Sequence, residues 1–106
     1  MDINKIKEYA LILRRELIFK GITPAAIFLF GSHAKGCARP DSDIDIAVVS
    51  RDFGKNRFEE GALLNLLANK IDCRIEAIPL SLSAYMDIDS HIPIIYEIQK
   101  TSICLL

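Results

Sequence analysis

The sequence has no CxxC pair, no apolar run of membrane-spanning length and no large excess of charge of either sign, and each absence narrows the field. Its three cysteines, Cys37, Cys73 and Cys104, are odd in number and far apart. They offer neither a disulfide framework nor a zinc spacing, and they read as the reduced thiols of a cytoplasmic protein. The formal net charge is -1, so no global basic field argues for nucleic acid. "YALIL" near the N-terminus is short, with Glu8 before it and Arg14, Arg15 and Glu16 after it, unlike a signal peptide. No membrane contact is expected, because nothing is long enough to cross a bilayer. Repeats, linkers and low-complexity segments are missing as well.

What is present suits one domain covering residues 1–106. Hydrophobic residues make up 51% of the chain, with a mean hydropathy of +0.26, which is rich for so small a domain. Some of that apolar surface is expected to meet a partner, in a homodimer or a mixed complex.

Apolar residues at Ile3, Ile6, Ala10, Leu13 and Leu17 predict a helix from Ile3 to about Lys20, with Asp2 as N-cap and Gly21 as its stop. Ala25–Phe30 reads as a short buried strand, "GSHAKG" as a strand-to-helix turn, and "CARPDS" as a loop in which Pro40 bars a continued helix. A second strand is expected from Ile44 to Val49 and a second helix from Arg57 to Lys70. Residues 71–78 alternate, with Asp72, Arg74, Glu76 and Ile78 on one face, and predict a third strand closed by Pro79. A less regular stretch follows, then a helix over Pro93–Thr101 and a last strand in "ICLL". The order implies an α/β (α+β) fold with a small mixed sheet flanked by helices.

Two carboxylates stand inside the second strand. Asp43 and Asp45 share a face, roughly 6.5–7 Å apart along the chain, while Ile44, Ile46 and Val48 turn to the core. A third acid could join them from a neighbouring strand about 4.8 Å away. Clustered acids repel and favour a cation; magnesium takes hard oxygen ligands and is commonly shared with phosphates. A calcium loop fails, since Ile46 and Asp52 occupy the positions that need Gly and Glu. Taken alone, "DSDID" also fits a solvated strand face with Asp41 and Ser42 turning the chain.

Gly31 and Ser32 lie where a strand hands over to a helix, a place where backbone N–H groups can meet a phosphate and glycine permits close approach. Lys35 adds a positive charge one turn on. Gly31 equally serves a plain tight turn. Neither a P-loop nor a GxGxxG fingerprint is present, because Cys37-Ala38 follow Gly36 where Lys and Ser/Thr are required. His33 and His91 are isolated and carry no assigned role.

The whole arrangement, "FGS" then "GSHAKGCARPDSDIDI", resembles the nucleotidyltransferase superfamily that includes DNA polymerase beta, with its glycine-serine turn followed by two aspartates on a strand. The finer resemblance is to minimal nucleotidyltransferase (MNT) proteins, with Lys35 where Arg is usual; "DCRIEAIPL" and "IPIIYEIQKTSICLL" extend it to nearly the whole chain. That resemblance implies a nucleotide held by Gly31, Ser32, Lys35 and Ser42. It also implies Mg²⁺, as two ions, on Asp43, Asp45 and a third catalytic acid, either Glu76 or Asp72, with Glu76 in the better context. ATP would be the donor and a hydroxyl of a HEPN-type partner the acceptor of AMP, in a toxin–antitoxin pair. Two other outcomes stay open: an MNT-fold antitoxin that neutralises its partner by occlusion, and a small-molecule transferase completed by a second subunit.

Overall fold

In the computed structural model, which describes residues 2–39, 41–87 and 92–106, a four-stranded mixed sheet lies between two sets of helices. The first helix, α1 (Ile3–Phe19), begins where the Asp2 carboxylate accepts the Asn4 N–H at 3.0 Å. It buries Ile6, Ala10, Leu13 and Leu17, the predicted stripe, and Gly21 follows it at φ 85°, in the left-handed region. The chain then forms β1 (Pro24–Phe30), the five-residue helix α2 (Gly31–Lys35) and β2 (Ile44–Ser50). Next come α3 (Arg57–Ile71), β3 (Ile75–Ser81), α4 (Leu82–Met86), α5 (Pro93–Thr101) and the two-residue β4 (Ile103–Cys104). The strands run in the order β3-β2-β1-β4; β1 is antiparallel to β2 and β4, and β2 is parallel to β3.

The sheet is apolar on both faces, and β2 shows why. Ile44, Ile46 and Val48 enter one core, beneath α1 and α3, together with Ile27, Leu29 and Ile75. Ala47 and Val49 enter a second core with Phe30, Leu80, Ile95 and Ile98 of α5. The face that carries Asp45 is therefore covered along most of its length, and only its first residues are open to take a ligand. Ser50, fully buried, fastens the far end: its hydroxyl donates to the Thr23 carbonyl at 2.8 Å and accepts the Asp52 N–H at 3.0 Å.

Two expectations need correction. The third strand starts at Ile75, not Ile71. Ile71 is the last residue of α3, where it continues the helical stripe Leu64, Leu67 and Ala68, and Asp72 is the C-cap, its N–H reaching the Ala68 carbonyl. The alternation over 71–74 thus belongs to the end of a helix and the turn that follows it. Pro79 does not close the strand but sits within it. It can do so because β3 is an edge strand and Pro79 falls in the outward-facing register of Ala77, two residues earlier, where no ladder partner needs its N–H. That outer edge is stitched to α3: the Asn65 side chain donates to the Ala77 carbonyl (2.7 Å) and accepts its N–H (2.9 Å), and Asn69 donates to the Ile75 carbonyl (2.9 Å). The irregular stretch after β3 includes α4, capped by the Ser81 hydroxyl; Pro40 and His91 lie outside the described residues.

Candidate active site

Gly31 is the first residue after β1, and Phe30 is paired with Asp45 across the antiparallel ladder. That register lays the Gly31 backbone against the Asp45 carboxylate. A Cβ on Gly31 would stand 2.2 Å from Asp45 Oδ2 and 3.0 Å from its Cγ, and the residue has φ 73°. Glycine is required here twice over, for the left-handed backbone and for the space that the carboxylate fills.

On its other side Asp45 is paired in register with Glu76 of β3, and parallel neighbours in register share a face. Asp43, just ahead of β2, is exposed, and so is Glu76; Asp45 is half-buried. Burial pushes the Asp45 carboxyl above its ordinary pKa, with further upward pressure from Glu76, Asp43 and Glu97, while His33 pulls the other way. Four acids therefore bear on one spot at the open end of the sheet. Like charges gathered in this way favour a bound cation. Among the described residues, no three acidic, histidine or cysteine side chains already converge as a metal cage. A magnesium ion here would be held by one or two carboxylates and completed by substrate phosphates, its usual mode.

The remaining expected residues are placed as follows. Ser32, half-buried in α2, uses its carbonyl to accept the N–H groups of Gly36 and Cys37, the latter at 3.0 Å. The Ser42 hydroxyl accepts the Arg39 N–H at 2.8 Å, so it shapes the loop that delivers Asp43. Lys35 is exposed and its ammonium lies 2.8 Å from Glu97 Oε1, on α5.

Asp72 stands apart from this group. Its carboxylate accepts from Arg74 Nε (3.0 Å) and Nη2 (2.7 Å), from the Arg74 N–H (2.9 Å) and from the Tyr9 hydroxyl of α1 (3.0 Å). The Arg74 guanidinium, with help from the Arg74 N–H and the Tyr9 hydroxyl, holds the Asp72 carboxyl well below the usual carboxylate range. Asp72 and Arg74 do not share a strand face with Glu76; they form a clasp between α1 and the end of α3.

Two residues near Asp45 were given no role in the sequence reading. Glu97 is brought in by α5, 62 positions from Lys35, and no local pattern announces it. His33 follows Ser32 directly, and its Nε2 is buried without a hydrogen-bond partner. Its adjacency to "GS" was the available signal.

A family model for the nucleotidyltransferase domain matches residues 7–101. No match emerges among curated proteins. Among solved structures, one assigned as a nucleotidyltransferase from Sulfolobus solfataricus aligns with a TM-score of 0.62 at 17% identity, over 96% of this chain and 77% of that one. A toxin–antitoxin complex with AMP-PNP aligns at 0.59 and 27% identity, over 100% and 73%. The complex of a tri-AMPylated HEPN toxin from Shewanella oneidensis with its MNT antitoxin aligns at 0.56 and 22%, over 99% and 72%. With 95 of 106 residues inside the matched span, counting 7 through 101, the chain belongs to the nucleotidyltransferase domain family.

Proposed function

We propose that this chain is the antitoxin of a HEPN/MNT pair and acts as a Mg²⁺-dependent adenylyltransferase, moving AMP from ATP to a hydroxyl of its HEPN-type partner. The observation that carries the reading is the contact between Gly31 and Asp45. A backbone turn shaped for close approach is packed directly on a carboxylate whose neighbours are Asp43 and Glu76. Two structures of the same fold, both toxin–antitoxin complexes, one with AMP-PNP and one with an AMPylated HEPN toxin, support the choice of nucleotide and partner.

In this reading Asp43 and Asp45 would hold the metal, which when bound would offset charge developing at phosphorus. The Gly31 N–H and the Ser32 hydroxyl face the phosphate chain, with Lys35 nearby. Glu76, exposed on the rim, takes the proton from the acceptor hydroxyl. The acceptor oxygen bonds to the α-phosphorus, the bond to the bridging oxygen breaks, and pyrophosphate leaves with the electron pair. Ser42 acts indirectly, by holding the loop before Asp43.

The test sets catalysis against occlusion. The chain is co-expressed with its neighbouring HEPN-type protein, and the partner is weighed intact after incubation with ATP and Mg²⁺. An AMP-sized gain that disappears in Asp43→Asn and Asp45→Asn supports transfer. Neutralisation of the partner with no mass gain, undiminished in both variants, overturns it in favour of occlusion.

A further inference from the structure

The second half of α1 is apolar on two sides. Ile6, Ala10, Leu13 and Leu17 point into the core. Leu11, Ile12, Ile18 and Phe19 of the same helix are each at least 43% exposed, and Phe19 is 85% exposed. At 3.6 residues per turn these four, with Arg15 among them, span an arc of about 120° opposite the buried stripe. A helix that is apolar all round belongs in an interior, and an exposed apolar patch of this kind marks an interaction surface.

Charge and the sheet edges say what covers it. Arg15 stands at the middle of the arc, and among the described residues it has no ion-pair partner. Residues 3–20 carry five basic side chains against two acidic ones, in a chain of formal net charge -1. A second copy that covered all four apolar residues by two-fold pairing would set Arg15 against its own copy, like charge on like. A lipid surface would take the same guanidinium at the centre of its apolar contact, whereas interfacial helices keep their charges on the other side. A carboxylate from a different protein, placed opposite Arg15, meets neither penalty. Strand addition is closed at the sheet edges: Asn65 and Asn69 occupy the outward groups of Ala77 and Ile75 on β3, Pro79 has no N–H, and β4 is two residues long. Helix against helix is the packing that this face offers.

We infer that the outer face of α1 is a docking surface for an amphipathic helix of another protein. Its apolar ridge seats between Leu11, Ile12, Ile18 and Phe19, and a carboxylate at its middle pairs with Arg15. Identifying that protein as the HEPN-type partner rests on the function proposed above. α1 packs on the sheet face away from Asp45, so a helix docked there leaves the acid cluster open to nucleotide and acceptor.

The experiment titrates the HEPN-type partner into the chain by calorimetry and measures α,β-methylene-ATP binding with Mg²⁺ for the same variants. Arg15→Glu, and separately Leu11→Gln combined with Ile18→Gln, should weaken the complex at least tenfold, as for residues central to an interface. Both should keep analogue affinity within about twofold. Leu66→Gln, at a comparably exposed apolar residue on α3, should leave both affinities within about twofold. Added salt should weaken the wild-type complex more than that of Arg15→Gln. Wild-type affinity for the partner in both α1 variants overturns the inference and leaves the function standing. So does a dimer of the chain alone, or its flotation with phosphatidylserine vesicles, that Leu11→Gln with Ile18→Gln abolishes, since the face then serves a second copy or a membrane. A wild-type chain that does not bind the partner at all overturns both.

Discussion

Gly31 and Gly36 offer a matched pair of perturbations. Both have left-handed backbones, with φ of 73° and 74°. An alanine Cβ at Gly36 would meet nothing within 4 Å, whereas at Gly31 it would meet Asp45 Oδ2 at 2.2 Å, Cγ at 3.0 Å and Cβ at 3.3 Å. Gly36→Ala therefore carries backbone strain alone, about 1 kcal/mol. In a domain of this size that lowers Tm by about 4–8 °C. Gly31→Ala carries the same strain and also drives the Asp45 side chain aside. Because Cγ is crowded as well as Oδ2, turning the carboxylate about its last bond does not relieve the contact; the side chain must leave its rotamer, for a further ~0.5–1.5 kcal/mol. The expected total is about 2 kcal/mol, roughly twice the Gly36→Ala effect.

The functional contrast should be larger than the stability contrast. With Asp45 displaced, binding of Mg²⁺ with a non-transferable ATP analogue should fall at least tenfold in Gly31→Ala, a loss of about 1.4 kcal/mol. Gly36→Ala should keep it within about twofold. Thermal melts and calorimetric titration of both variants provide the readout. If the two alanines lower Tm and nucleotide affinity by the same amounts, the packing of Gly31 on Asp45 has no bearing on the site and the reasoning fails.

Further outcomes follow from other parts of the structure. Asp45→Asn removes a partly buried charge that neighbouring acids oppose; in EDTA it should raise Tm by a few degrees, and the gain should shrink or vanish with Mg²⁺ and nucleotide. Asp72 has the opposite sign: its lowered pKa means that its contribution is present above the unfolded value of about 3.9 and is lost as pH falls toward the folded one. Wild-type stability, followed by urea unfolding, should therefore drop more steeply than that of Asp72→Asn between about pH 5 and 2, while at pH 7 Asp72→Asn should be less stable by about 2 kcal/mol. Asn65→Ala leaves the Ala77 N–H and carbonyl on the β3 edge without their side-chain partner, and should cost about 1–3 kcal/mol in the same assay.

Much of the fold was legible because β2 carries the plan in seven residues: a core set at Ile44, Ile46 and Val48, and an opposite face that begins with Asp45. The helical stripe of α1 and its Asp2 cap were equally plain. The start of β3 was not, because Ile71, Cys73 and Ile75 alternate like a strand while Leu64, Leu67, Ala68 and Ile71 recur like a helix. The helix won, since Ile71 packs against the core that holds its stripe, and Asp72 found partners in Arg74 and Tyr9. Pro79 misled for a related reason: only the sheet order shows that it faces an outer edge. At the candidate site, motif spacing pointed to Gly31, Asp43 and Asp45, and the register that pairs Asp45 with Glu76, not Asp72, could not be read from it. Glu97 could not be read, because tertiary packing of α5 alone brings it near Asp45.

The central claim, that Gly31, Ser32, Asp43, Asp45 and Glu76 form one metal–nucleotide site, is tested most directly by paramagnetic broadening. Backbone amide NMR signals of the ¹⁵N-labelled protein are recorded as Mn²⁺ with α,β-methylene-ATP is titrated in. Broadening centred on residues 31–33, 43–45 and 76 is the predicted result. Broadening centred on Asp72 and Arg74, or none at saturating nucleotide, would contradict the account.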